Sequence, residues 1–160
     1  MLICSSLTIK NNTMSTIESN KEIVRKLFEE SLNKGNLALL SDLFAADFTG
    51  PQGEKGPAGF RANIELLLKA FPDIHYTIKD LVGEDDKVAV NWTWQGTQTG
   101  SFRNIPATGK SITNDGMAVF GLKDGKIVRA ETLTDRLGFW QGLGLLPADL
   151  TSLVGPRKGQ

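Results

Sequence analysis

The side chains best able to do chemistry gather around one stretch of the second half, GMAVFGLKDGKIVRAETLTDRLG, residues 116–138. Asp115 immediately precedes it, Glu131 lies inside it and Asp135 stands near its end. A carboxylate beside an apolar cleft is a common general base for removing a proton without a cofactor. Upstream, KVAVNWTWQG places Trp92 and Trp94 two residues apart, so a strand there would send both indoles, with their N–H donors, to one face. The single histidine, His75, and the single cysteine, Cys4, exclude a His-rich metal site, an internal disulfide and a CxxC pair.

The elements that must position these groups are legible as periods. Alternation of period two runs through IHYTIKDLV, DKVAVNWTWQGTQTG, KSITNDGMAVFGL and GKIVRAETLT. It predicts four strands joined by short polar turns, hence an antiparallel meander with one face to be covered by helices. The turn KDGK fits a three-residue hairpin loop with Gly125 in the left-handed region. Leu122 then opposes Lys126, and the pairs Phe120–Val128, Ala118–Ala130, Gly116–Thr132 and Asn114–Thr134 follow on the inner face. Val119–Arg129, Met117–Glu131 and Asp115–Leu133 fall on the outer one. A two-residue loop would change the partners.

Three amphipathic helices precede the strands. SNKEIVRKLFEESLNKG carries Ile23, Val24, Leu27, Phe28 and Leu32 at helical spacing, NLALLSDLFAADF carries Leu39, Leu40, Leu43 and Phe44, and GPAGFRANIELLLKAFPD carries Phe60, Ile64, Leu67, Leu68 and Phe71 before Pro72. FTGPQGEKGP is a loop with a short strand conceivable at its start, and DRLGFWQGLGLLP supplies a short last helix. The fold class is therefore α+β in one domain, residues 19–146, with a loose extension over 1–18 and a tail over 147–160. Translation could begin at Met1 or Met14.

On that register the inner face combines bulk near the turn with small residues at Gly116, Ala118, Ala130 and Thr132, and Trp92 and Trp94 wall the same space. Small side chains there leave room for an apolar cleft of the kind that holds a small molecule; the competing expectation is that the helices descend and fill it. Phe48, Tyr76 and Asn114 complete the expected lining. The outer face, with Met117, Val119 and Leu133 among Arg129 and Glu131, suits a second copy of the chain packed against it. Asp115 and Glu131 alternate outward unless a bulge turns one in, and Asp135 is placed to cap the last helix. His75 is expected as a half-exposed strand residue.

Eighteen basic and eighteen acidic residues cancel, with no block of like charge. A phosphate-binding footprint is missing, so nucleic acid is not an expected partner. No apolar run approaches the ~20 residues of a membrane span, and MLICSSLTIKNN makes a poor signal peptide. The expected location is cytoplasmic.

Taken together, AFPDIHYTIKDLV, WTWQGTQTGSFRNIPATGKSI, FGLKDGKIV and DRLGFWQGLG resemble, in that order, the SnoaL-like polyketide cyclases. These are often called ester cyclases and belong to the cone-shaped nuclear transport factor 2-like superfamily. The resemblance covers residues 19–146. It implies a dimer with a pocket between three N-terminal helices and a curved antiparallel sheet, followed by a short C-terminal helix, and a chemistry needing neither metal nor organic cofactor. In those cyclases a carboxylate removes a proton beside a carbonyl to drive an intramolecular aldol closure. Through the hairpin register, the family's histidine position falls on Ala118 and its acid/base aspartate on Thr132, neither of which can act as a base near neutral pH. DFTGPQG stands where many relatives carry a further histidine. Two classes of function stay open: a cofactor-free cyclase, isomerase or dehydratase using a relocated acid, Asp115 or Glu131, or a non-catalytic ligand binder or dimerisation module.

Overall fold

A computed structural model describes residues 16–153. Most of the expected N-terminal extension, Met14 included, and the end of the tail lie outside the described residues; residues 16–18 are already helical.

Helix α1 covers residues 16–26 and passes directly into a π-helical stretch, Leu27–Leu32, whose Leu27, Phe28 and Leu32 are buried. A 3-10 turn, Leu37–Leu39, leads to the short α2, Leu40–Leu43, then strand β1, Phe44–Thr49. Helix α3, Gly56–Ala70, starts with a proline in its first turn and stops before Pro72. The rest is β2, His75–Glu84; β3, Lys87–Thr97; β4, Ser111–Lys123; β5, Lys126–Thr134; α4, Arg136–Gly142; and a closing 3-10 turn, Leu150–Leu153. The strands form one five-stranded sheet in the order β1-β5-β4-β3-β2.

Three expectations are corrected. The second predicted helix ends at Leu43: Phe44 and Phe48 belong to β1 rather than to a helical stripe. The sheet has five strands, not four, and is mixed rather than wholly antiparallel, because β1 runs parallel to β5. The β4–β5 hairpin is tighter than the three-residue reading. Lys123 opposes Lys126 across Asp124 and Gly125, whose φ values of 50° and 73° are the double left-handed pair of a two-residue turn. A bulge follows, with Leu122 opposite Ile127 and Gly121 opposite Arg129, leaving Val128 unpaired. The tighter turn and the bulge each move the register by one, so from Gly121 onward the partners shift by two and keep their faces. Ala118 now meets Thr132 and Gly116 meets Thr134. Near the turn the faces do change, and Ile127, not Val128, is the buried residue.

The inner face of the sheet carries Val88, Val90, Trp92, Trp94, Ile112, Ala118, Phe120, Leu122, Ile127 and Ala130 into one core with Val24, Leu27, Phe28, Leu40 and Leu43 of the helical segments. Two side-chain links fasten the layers. Asn33, just past the π-helical stretch, accepts from Tyr76 N–H at 2.7 Å and donates to Tyr76 C=O at 2.9 Å. Lys126 donates to the carbonyls of Ser41 and Asp42 at 3.1 and 3.0 Å, complementing the negative end of α2. Asp135 caps α4 as its position predicts, its Oδ1 accepting from Gly138 N–H at 2.8 Å.

Candidate functional site

The site is the inner face of the sheet where β5 runs on beyond the cover of the helices. Cross-strand rows define it: Tyr76–Trp94–Asn114, then Ile78–Trp92–Gly116–Thr134, then Val90–Ala118–Thr132. Because directly opposed residues share a face, Thr132 and Thr134 point to the same side as Ala118 and Gly116. Ala118 and Ala130 are buried, yet Thr132 and Thr134 are exposed. The helical layer therefore covers β5 only as far as Ala130. On helix α3, Phe60, Ile64, Leu67 and Leu68 pack against the core but stay half-buried.

Part of the expected hollow is filled. The indole of Trp92 packs on Gly116, so close that a Cβ at that position would sit 2.6 Å from Cζ2 and 3.0 Å from Nε1. Here glycine is required by contact rather than by backbone conformation. Trp92 also meets Phe28, with centroids 5.3 Å apart, and Phe28 meets Tyr76 edge-on at 5.8 Å. Trp94 turns toward Phe71 and Phe139 at 5.1 and 6.3 Å. The rings of Tyr76, Trp92 and Trp94 are buried, but none of their polar atoms counts among the enclosed, unpartnered side-chain atoms of the described residues. Burial pushes the Tyr76 hydroxyl far above its ordinary pKa, so it is a neutral donor at any working pH. Ser31 Oγ, in the π-helical stretch, is the one enclosed side-chain polar atom without a partner among the described residues.

Of the expected lining residues, Tyr76, Trp92, Trp94, Ala118 and Thr132 share the inner face. Asn114 does too, but its amide is committed to Asp135 C=O at 2.7 Å, which fixes where α4 begins. Phe48 is completely buried, stacked edge-on with Phe44 and Phe60 at 4.7 and 6.1 Å, and so supports α3 instead of presenting a ring to a ligand.

The carboxylates lie elsewhere. Asp115 is exposed on the outer face and pairs with Lys79 at 2.7 Å; that hydrogen bond, with a second from Thr93, holds its pKa below the ordinary aspartate value. Glu131 is exposed on the same face, 3.6 Å from Arg129. His75 is exposed at the start of β2. Inward strand positions carry no charged side chain, and the described residues contain no cluster of His, Cys, Asp and Glu suited to a metal ion. A shallow depression of about 250 Å³ opens on the outer face between Asn91, Asp115, Met117, Leu133 and Asp135. It lies in the exposed sheet surface and not among the aromatic residues. No described helix is long and apolar enough to cross a membrane.

A cone of helices on a curved mixed sheet, with an apolar inner face opening at one end, defines the class. The sequence profile of the SnoaL-like polyketide cyclases matches residues 22–143, and the chain belongs to that family. Among solved structures it is similar to TsrD from Streptomyces laurentii, at 27% identity over 81% of this chain and 97% of that one, with a TM-score of 0.75. A candidate polyketide cyclase from Acidithiobacillus ferrooxidans is 28% identical over 79% and 94% of the two chains, with a TM-score of 0.71. A candidate SnoaL-like polyketide cyclase from Jannaschia sp. CCS1 shares the fold at 24% identity over 81% and 94%, with a TM-score of 0.75. No curated protein matches the chain.

Proposed function

We propose that this chain binds a small, largely apolar organic molecule between the inner face of the sheet and α3, and does so as a homodimer paired through the outer face of the sheet. The observation that carries the binding reading is the uncovered end of β5. Thr132 and Thr134 stay exposed on a face whose other residues form the core, while the apolar stripe of α3 stays half-buried beside that core. An apolar wall with a few polar groups, left open on one side, suits a small ligand. General acid/base catalysis by Asp115 or Glu131 forms no part of this reading, since both carboxylates are held in water by cations of the outer face.

Pairing through the sheet is supported by exposed Met117, Val119 and Leu133 together with Val82, an apolar strip bordered by the Lys79–Asp115 and Arg129–Glu131 pairs.

Quenching of indole emission by a library of apolar compounds tests the binding reading, with Thr132→Trp as the filled-cleft control. Saturable quenching that Thr132→Trp removes is the expected result. A flat response, or binding that survives in Thr132→Trp, overturns the reading. Light scattering should show a dimer that Leu133→Asp converts to monomer; a wild-type monomer would refute the pairing.

A further inference from the structure

We propose that the tip of the β4–β5 hairpin is a site of covalent self-modification, at which Asp124 and Gly125 rearrange through a succinimide to an isoaspartyl linkage while the chain is folded. This goes beyond the proposed binding and does not depend on it.

The chain has two aspartates followed by glycine, Asp115–Gly116 and Asp124–Gly125, and the fold treats them oppositely. The rearrangement needs a free carboxyl, a free amide nitrogen on the next residue and space for a ring to close between them. The hairpin tip supplies all of these. Asp124 and Gly125 are exposed, and among the described residues neither the Asp124 carboxyl nor the Gly125 N–H has a hydrogen-bond partner. A Cβ at Gly125 would meet no atom within 4 Å. Asp124 is held at φ 50°, a left-handed conformation unfavourable to an L-residue, so it leaves that geometry readily. The shoulders of the turn stay fixed meanwhile, since Lys123 pairs with Lys126 and the Lys126 ammonium holds the carbonyls of Ser41 and Asp42.

Asp115 and Gly116 lack these freedoms. Both lie inside β4, opposite Thr93 and Trp92 of β3, and Gly116 also faces Thr134 of β5. Hydrogen bonds from Lys79 and Thr93 engage the Asp115 carboxylate and hold its pKa down, so the protonated form that can lose water is scarce. The Trp92 indole fills the space against Gly116.

The reaction balances with water alone. The Gly125 nitrogen attacks Cγ of protonated Asp124; the N–Cγ bond forms, the nitrogen gives up its proton, the Cγ–OH bond breaks and water leaves. Water then adds to the five-membered imide. Opening at Cγ restores aspartate, whereas opening at the backbone carbonyl leaves the chain running through Cβ and Cγ. Mass is unchanged, but the main chain gains one methylene inside a two-residue turn. A turn this short sets the register of its strands, so the added atom loosens the hairpin that brings Thr132 opposite Ala118.

To test this, the full chain is kept for weeks in neutral buffer at physiological temperature, beside a sample in urea. Digests are read by mass spectrometry with electron-transfer fragmentation, which breaks the Cα–Cβ bond of an isoaspartyl residue and so locates it. In the folded chain the product should accumulate at Asp124 at least about a hundred-fold faster than at Asp115, because reaction at Asp115 waits for a central strand to open. In urea both sites should react at similar rates. Asp124→Glu, whose longer side chain would have to close a six-membered ring, should abolish the product at the tip. The isoaspartyl fraction, separated by chromatography, should unfold at a Tm lower by at least about 2 °C. Absence of the product at Asp124 in the folded chain while it forms in urea, or equal accumulation at the two sites in the folded chain, would overturn the proposal. Silence of Asp115 in urea would place the selectivity in local sequence instead of the fold and overturn it as well. An unchanged Tm would overturn the loosening of the hairpin.

Discussion

The contact between Trp92 and Gly116 makes a quantitative demand. In Gly116→Ala the new methyl would sit 2.6, 2.8 and 3.0 Å from Cζ2, Cε2 and Nε1 of the indole, so the ring has to tilt away from the sheet. Its other side is closed by Phe28 at 5.3 Å, which limits the room for retreat. Overpacking of this kind costs about 1–3 kcal/mol. The lost flexibility of glycine in the unfolded chain returns about 0.4–1 kcal/mol. A net loss of about 0.5–2 kcal/mol remains, and for a domain of this size it lowers Tm by about 2–6 °C. The emission of the displaced indole should shift at the same time. Trp92→Phe removes the benzo edge that the methyl strikes, so Gly116→Ala should cost less in that background, with a favourable coupling of at least about 0.5 kcal/mol. Thermal unfolding of the four proteins, followed by circular dichroism and fluorescence, measures each quantity. If Gly116→Ala leaves Tm and emission unchanged, or if the two substitutions simply add, the indole does not rest on the sheet and the described cleft floor is wrong.

Asn33→Ala removes both bonds to the Tyr76 backbone and should cost about 1–3 kcal/mol in urea unfolding; Asn33→Asp, able to accept but not donate, should fall between. Asp135→Ala should lose about 1 kcal/mol of helix-cap stabilisation, most of it retained in Asp135→Asn. The carboxyl of Asp115 should titrate, by NMR, below the ordinary aspartate value of about 3.9 and return toward it in Lys79→Met. Since its folded pKa is the depressed one, its pairing with Lys79 stabilises the fold above about pH 4 and is lost as pH falls through the lower folded value. A wild-type titration indistinguishable from that of Lys79→Met would show that the ion pair does not persist in solution.

Several elements were legible because their pattern has one interpretation. Val88, Val90, Trp92 and Trp94 alternate at period two and share the inner face, and Asp135 stands where a cap belongs. Strand β1 was hidden because its signal has two interpretations. Phe44 and Phe48, four apart, lie on one side of a helix as well as on one side of a strand, and they follow Leu40 and Leu43 at helical spacing. What settles the matter is parallel pairing with β5, some eighty residues away, which no local window contains. The filled hollow was hidden for a similar reason. Gly116 reads locally as spare room, and only the β3–β4 register, with Trp92 directly opposite, reveals it as the seat of an indole.

The hairpin shows how little separates a cleft with a carboxylate from one without. With the two-residue turn at Asp124–Gly125 and no irregularity, Ala118 would face Glu131, and that carboxylate would enter the inner face at the point where it would be most useful as a base. The unpaired Val128 prevents this. Its extra residue advances β5 by one, brings Thr132 opposite Ala118 and returns Glu131 to the outer surface beside Arg129. Burial agrees with the shifted register on both sides of the bulge, since Ile127 and Ala130 are buried although three residues apart, a spacing no unbroken strand could place on one face. The neutrality of the cleft is thus a consequence of backbone geometry as much as of residue choice. The bulge lies between the tight turn and Thr132, fixing which side chain of β5 stands opposite Ala118: a hydroxyl that can exchange hydrogen bonds, not an acid that could take a proton.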